Sequence, residues 1–417
     1  MGVGVRSRLF ALATVVALVV PAAAAAQDKQ PRDLKPPRTE TSPHWPPMQP
    51  YLAVGEDNAC GEGCSEWIAA EGAFDHGSAQ RLRAFVKRLG RKLPIFFHSI
   101  GGIQTEALSV GRFMRERQMT AGVARTIPQK CLPPLENDAA CRALKRSGQK
   151  LNAEFRTVDA GCYSACVYAL IGATARNVPP GARLGVHSSK FIRIFPDGHV
   201  NAPPPAKLTV EEKAHLMEAN AEVRRYIREM GIDAGLYDAA MKVAPDQVHY
   251  LSRNEIAGFG IDTRSFEESH WSVVNGANHS ISVFKLIAQA KGSTGKEFRS
   301  SAIELGCGSA NRIRLGYFRG LGTDEAGLPR SIAVSAAGQR LAFPSTGRTV
   351  KIDAIDSGAK FEVRAVDANM GFFDAAVTGG GLEITELDPG GTDVLKLSVN
   401  GLPSAIGALQ QSCSRTS

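Results

Sequence analysis

Gly161-Cys162-Tyr163-Ser164-Ala165-Cys166 is followed by an apolar run, Val167 to Ile171, that reads as a helix. Sixteen residues beyond Cys166, Ala182-Arg183-Leu184-Gly185-Val186-His187 reads as a strand ending on a histidine. A serine between a short strand and a helix can project its Oγ, and the next N–H, that of Ala165, is placed to serve an oxyanion hole. The same serine can instead be an ordinary helix N-cap. A serine needs a neighbouring base to become nucleophilic, and His187 is the candidate nearest in sequence.

Upstream, Pro94 to Phe97 reads as a strand and leads into Ser99-Ile100-Gly101-Gly102-Ile103. A glycine pair between a strand and a helix lets backbone N–H groups approach a ligand, although it also makes a plain turn. Helical spacing of Leu82, Phe85, Val86 and Leu89, closed by Gly90, marks Ser78–Leu89. A second helix follows from about Gln104 to Arg117, then a strand at Gly122-Val123-Ala124. Thr209-Val210-Glu211-Glu212 is a capping box opening a long helix that Gly231 closes. Strands alternating with helices imply an α/β layered domain over residues 51–270.

Beyond about residue 275 the pattern changes. Ile332 to Val334, Thr349 to Ile352, Lys360 to Val366 and Val394 to Val399 are short β-type runs between Gly, Asp, Pro and Ser clusters. They predict a small all-β accessory domain over 275–417.

The 417 residues, 43% hydrophobic and 22% charged, fit two globular domains and exclude a mainly disordered chain. The net charge is +8, but no block or stripe concentrates it, so nucleic acid is not an expected partner. Arg6 and Arg8, the apolar run Leu9 to Val20, and small residues Ala22 to Ala26 read as a secretory signal peptide over residues 1–26. Residues 27–50 hold seven prolines and read as an extended linker. No later stretch is long and apolar enough to span a membrane, so the chain is expected to be periplasmic or secreted.

Eight cysteines in an exported chain suggest disulfides. Cys60/Cys64, Cys131/Cys141 and Cys162/Cys166 are close in sequence; Cys307 and Cys413 are the remaining two, near the ends of the second domain. Proximity alone does not fix the pairing. Zinc is the competing reading, disfavoured because no Cys-x-x-Cys occurs and histidines do not cluster with the cysteines. No metal and no cofactor are expected.

In their order these segments resemble the Clp protease/crotonase superfamily, and in particular its exported, Clp-protease-like members. The resemblance spans about Glu66 to Phe266. Glu66-Trp-Ile-Ala-Ala-Glu-Gly-Ala-Phe74 is similar to the entry strand and turn. Phe97-His-Ser-Ile-Gly-Gly-Ile103 resembles an Asn-Ser-Pro-Gly-Gly-Val pattern, and Cys162 to Cys166 falls at the nucleophile position. Tyr250-Leu-Ser-Arg-Asn-Glu-Ile-Ala-Gly-Phe-Gly-Ile-Asp262 resembles the family's closing motif. The resemblance implies Ser164 as nucleophile, His187 as general base, Gly102 and Ala165 N–H groups as oxyanion hole, a peptide or protein substrate, and a homo-oligomer using the helix from Thr209.

Two departures stand out. The family's acid position holds Val248, so Asp246 could serve only if the loop shifts. An insertion from Pro128 to Phe155 could form a lid, a partner surface or a block. A Ser–Lys dyad through Lys190, a cysteine nucleophile, and acyl-CoA chemistry are weaker alternatives. The expectation is therefore a serine hydrolase, with a catalytically inactive oligomeric binding or scaffold protein on the same fold as the alternative.

Overall fold

The computed structural model describes residues 45–131, 138–195, 200–275, 281–291, 297–309, 312–321, 331–351, 360–388 and 391–416, together with 17–18. Apart from 17–18, the expected signal peptide and most of the linker lie outside the described residues. The linker's last residues do not stand apart from the fold. Met48 is buried, its N–H donates to Ala73 O at 2.7 Å, and Gln49–Val54 is a strand, β1. Folded structure therefore begins by Trp45 rather than at residue 51.

The chain is a mixed α/β protein with several sheets. A seven-stranded sheet has the order Arg125–Pro128, Leu151–Arg156, β1, β2 (Glu66–Glu71), β3 (Ile95–His98), β4 (Thr120–Val123) and Ala175–Asn177. Strands β2, β3 and β4 run parallel, joined by helices α1 (Ser78–Leu89) and α2 (Gln104–Glu116). Alternation sorts their side chains. Ile68, Ala70, Ile95, Phe97, Ala121 and Val123 enter the main core with the helices. Trp67, Ala69 and Phe96 enter a second cluster with Tyr51 and Phe155.

A small second sheet holds the segments around Ser164 and His187. Strand β5 (Gly161–Tyr163) runs parallel to β6 (Arg183–Val186), which pairs antiparallel with His249–Tyr250. Helix α3 (Ala165–Ile171) leaves β5 and packs against α2. The two helices touch backbone to backbone, because a Cβ built on Gly172 would overlap Gly111 Cα. Only glycine permits that approach. Helix α4 (Val210–Glu229) lies over α3, where the Tyr226 hydroxyl donates to Tyr168 O at 2.9 Å. Its start is the expected capping box at Thr209 and Glu212.

Among the described residues, the segment from Pro128 to Phe155 joins the main sheet. Arg125–Pro128 and Leu151–Arg156 form an antiparallel hairpin that extends the main sheet beside β1. Its helix, Ala139–Arg146, is tied by Cys131–Cys141 and by Lys145, whose Nζ reaches Glu71 at 2.8 Å. Burial opposes ionisation of Glu71. Lys145, His98 and the Tyr51 hydroxyl outweigh it and hold the carboxyl below its usual range.

From residue 266 onward, the strands of the described residues form two antiparallel sheets. The larger includes three long strands, Ile281–Lys291, Glu297–Cys307 and Ile313–Leu321, with Lys360–Ala368 beside the third. The smaller has the order Gln339–Ala342, Ser331–Ala336, Leu382–Asp388, Gly391–Leu397. This part is not all-β. Helices Met370–Gly379 and Leu402–Thr416 cover the sheets. The first is capped by Asn369, whose side chain accepts from Phe372 N–H; the second buries Leu402, Ala405, Ile406 and Leu409 at helical spacing.

Four disulfides are present: Cys60–Cys64, Cys131–Cys141, Cys162–Cys166 and Cys307–Cys413. Among the described residues no group of three or more His, Cys, Asp or Glu is placed to hold a metal, and no helix is long and apolar enough to cross a membrane.

His270 marks the contact between the two parts, with its ring 5.7 Å from that of Phe155. Burial, then nearby Lys285, lower its pKa from 6.5 to about 4 against a hydrogen bond with the Ala59 backbone. The folded protein thus holds His270 neutral while the unfolded chain takes a proton below about pH 6.5. Its contribution is present above that pH and is lost as pH falls toward 4, by at most about 3 kcal/mol. Glu267 works the other way: burial raises it to about 7, so its proton stabilises the fold as pH falls from 7 toward 4.5. The expected result is that His270→Gln loses less stability than the parent between pH 7.5 and pH 5, read as urea midpoints. Equal losses would remove His270 as the cause.

Candidate functional site

Ser99 stitches the small sheet to the main one. Its N–H donates to Gly161 O at 2.8 Å and its carbonyl accepts from Tyr163 N–H at 2.9 Å. The loop Ile100–Gly102 therefore lies against the turn that carries Ser164. The fit is close at Gly101, where φ is +96° and an added Cβ would lie 2.6 Å from Tyr163 O, 2.7 Å from Ser164 Cβ and 3.0 Å from Ala165 N. Gly102, at φ +131°, is equally crowded by the Phe74 backbone.

Ser164 has φ 55° and ψ −124°, a conformation that costs a non-glycine residue on the order of 1–3 kcal/mol. Its N–H donates to Gly185 O at 2.7 Å, which holds the turn against β6. Its side chain makes no capping hydrogen bond, so the N-cap reading does not describe this serine. Ala165 opens the helix, and within the chain its N–H has no partner among the described residues. The Cys162–Cys166 bond spans Ser164, with both cysteines fully buried. Neither is therefore a free nucleophile.

The register β5–β6 sets Tyr163 opposite Gly185, so the ends of the two strands, which Ser164 and His187 follow, lie side by side. Both are half-buried, and no hydrogen bond joins Ser164 Oγ to the imidazole in this structure. Catalytic hydrogen bonds are often long before substrate binds, so proximity of the strand ends is the relevant observation. His187 Nδ1 lies 2.8 Å from Ser188 O. A carbonyl only accepts, so in the neutral ring this contact favours the tautomer with the proton on Nδ1 and Nε2 as the acceptor.

The structure leaves Asp246 out. It is exposed on a turn where Gln247 N–H donates to Ala244 O, and no side-chain partner for it occurs among the described residues. The neighbouring pairing, His249 to Val186 and Tyr250 to Gly185, brings Val248 over Gly185 instead. Lys190 is exposed. Tyr163, Val248 and Tyr250 share one outer face of the small sheet; Val248 and Tyr250 are each 41% exposed, and the tyrosine rings are 5.9 Å apart.

No family model matches this chain, and no curated protein matches it. Among solved structures, it is similar to a serine-to-alanine mutant of the 1510-N membrane-bound stomatin-specific protease, at 12% identity and a TM-score of 0.26 over 46% of this chain and 75% of that one. A lysine-to-alanine mutant of the same protease, in complex with a substrate peptide, is similar at 13% identity and a TM-score of 0.26, over 46% and 71%. At that TM-score neither likeness carries weight for fold or activity, which rest on this chain's own geometry.

Residues that the motifs did not single out shape the same region. His98 Nδ1 accepts from Gly161 N–H at 3.1 Å and steadies the start of β5. Ser188 anchors the His187 loop: its N–H and its Oγ both donate to Val243 O, at 3.0 and 2.6 Å. His249 pairs with Glu255 at 2.7 Å, but that glutamate also closes the Ser252 capping box. Burial opposes ionisation of Glu255, and the bonds from His249 and Ser252 outweigh it. That pair is explained by the helix start it caps. A cavity of about 540 Å³ beside Cys60–Glu66, Leu93 and Thr120 lies at the N-terminal ends of the parallel strands. Open α/β sheets bind ligands at the opposite ends, where Ser99 and Ser164 sit.

Proposed function

We propose that this protein is an exported serine hydrolase, a peptidase that acts through Ser164 and His187 on a Clp-protease-like α/β domain with a β-rich accessory domain behind it. The observation that carries the reading is Ser164 itself. A non-glycine residue occupies a strained φ of 55° at a strand-to-helix turn, with its Oγ unused for capping. Such strain persists where surrounding structure imposes it, and clusters at functional sites. Ser164 Oγ would attack the scissile carbonyl while His187 Nε2 takes its proton; the Ala165 N–H would face the developing oxyanion. A peptide crossing the small sheet would meet the apolar face of Tyr163, Val248 and Tyr250. The four disulfides support export. Helix α4, with Val210 and Met217 exposed, is the proposed oligomer contact.

The test is covalent labelling of the oxidised protein by a fluorophosphonate, with the site mapped by mass spectrometry. Labelling is expected at Ser164, absent in Ser164→Ala, and slowed by at least about 100-fold in His187→Gln. An unlabelled Ser164 in folded protein would favour a retired site used for binding or scaffolding, for which the exposed Asp246 is the supporting observation.

A further inference from the structure

We infer that the main chain of Ser188 takes the place of the missing acid, and that Ser188 is a positioning residue for His187. The inference rests on the reading of Ser164 and His187 above. An acid partner has two tasks at a base histidine: it holds the ring, and it fixes the tautomer that leaves Nε2 free to accept a proton. Ser188 O, 2.8 Å from Nδ1, does both with a neutral acceptor.

A main-chain carbonyl next in sequence can orient a ring only if its residue and the one after it are held. Here they are held three ways. Ser188 N–H donates to Val243 O at 3.0 Å, and Ser188 Oγ donates to the same oxygen at 2.6 Å. Val243 follows the helix Gly235–Met241, and its own N–H returns to Ala240 O at 3.2 Å, so the anchor is part of a helix end. On the far side, Ser189 Oγ donates to Gln104 Oε1 at 3.4 Å, and the buried Gln104 passes its Nε2–H to Ala219 O in α4 at 3.1 Å. The loop after His187 is thus tied to three helices. Val248 fills the space beside Gly185, and Asp246 faces solvent.

A neutral acceptor stabilises imidazolium less than a carboxylate does, so this arrangement gives a weaker base than an acid-supported triad. The tautomer can be read without any activity. Two-bond ¹⁵N–¹H correlation spectra of protein labelled at its nine histidines, with His187 assigned by loss of its signals in His187→Gln, distinguish the two forms. The expected result is a protonated Nδ1 and a bare Nε2 in the neutral ring. Protonation at Nε2 overturns the inference, whether or not Ser164 labels.

The kinetic arm uses the rate of fluorophosphonate labelling. Ser188→Ala keeps the carbonyl and removes the Oγ clamp, so labelling is expected to slow by about tenfold with a shifted pH profile and an unchanged melting temperature. Ser188→Thr, which keeps a hydroxyl, restores both. Asp246→Asn leaves the rate within about twofold. A tenfold or greater loss in Asp246→Asn, or a parental rate and pH profile in Ser188→Ala, would overturn the assignment. Absence of labelling in the parent removes the hydrolase reading and leaves the tautomer to decide this one.

Discussion

Gly101→Ala is expected to slow labelling at Ser164 by at least about 100-fold, the order of effect that a small misplacement of reacting groups produces. The argument is geometric. Three atoms meet the new methyl group: Tyr163 O, Ser164 Cβ and Ala165 N. None is the end of a flexible side chain. All belong to the turn that sets the nucleophile and the first helical N–H, so relief of the overlap must move that turn. Tyr163 and Ser164 resist, because Tyr163 N–H is bonded to Ser99 O, Ser164 N–H to Gly185 O, and Cys162–Cys166 braces the turn from below. The φ of +96° adds a backbone penalty of about 1–2 kcal/mol for any L side chain. Overpacking adds about 1–3 kcal/mol, so a lower melting temperature should accompany the lost reactivity. Gly258→Ala is the matched control: its added Cβ meets nothing within 4 Å and its φ is not in the left-handed region. A Gly101→Ala protein that labels at the parental rate would show that the glycine loop and the serine turn are not in contact.

The parts of this site that a sequence displays are those made by short-range chemistry. A Gly-Cys-Tyr-Ser break between a β run and an apolar helix marks Ser164, and Thr209 with Glu212 marks a helix start, because turn and cap residues act on their immediate neighbours. The acid position is different. Whether residue 246 or 248 reaches His187 depends on how the 244–247 turn leaves the preceding helix and pairs with β6, and that pairing brings in Val248. Spacing counts residues but not register. The orienting carbonyl of Ser188 is invisible for a simpler reason: every residue has a carbonyl. The long strands of the second half are obscured by charge. Lys285, Arg299 and Arg319 sit inside them at inward positions, where an alternating apolar pattern would be expected. The end of the insertion, Leu151–Arg156, is a sheet strand because Leu151, Ala153 and Phe155 alternate inward against Tyr51 and Trp67.

Two of those inward charges, Arg299 and Arg319, converge on Glu386, and its replacement by alanine is expected to unfold the second half most readily. Glu386 is fully buried on Leu382–Asp388 in the smaller sheet, while its partners come from the larger one. Its carboxylate accepts from Arg299 Nη1 at 2.7 Å, Arg319 Nε at 3.1 Å and the Tyr317 hydroxyl at 2.7 Å. Arg299 is shared with Asp393 at 3.0 Å and Gln289 at 3.1 Å, and Asp393 is also paired with Lys291. Alanine removes a carboxylate that both buried arginines share and leaves a phenol without that acceptor. Removing one member of a buried ion pair costs about 3–5 kcal/mol, mostly because the remaining charge has nowhere to go. Glu386→Gln should cost less, since it keeps the shape and an acceptor for Tyr317 while losing the charge. Tyr317→Phe should cost about 1–3 kcal/mol, the penalty for an unmet buried acceptor. Urea unfolding, followed by intrinsic fluorescence, gives the order. If the network's value lay in favourable charge pairing itself, no apolar replacement would recover it. If its removal is costly only because charges are stranded, Arg299→Met, Arg319→Met and Glu386→Leu combined should restore most of the loss, because similar-sized apolar groups at a buried ion site are often neutral or stabilising. The second outcome is expected, and it would make the network a device that aligns the two sheets rather than the source of their stability.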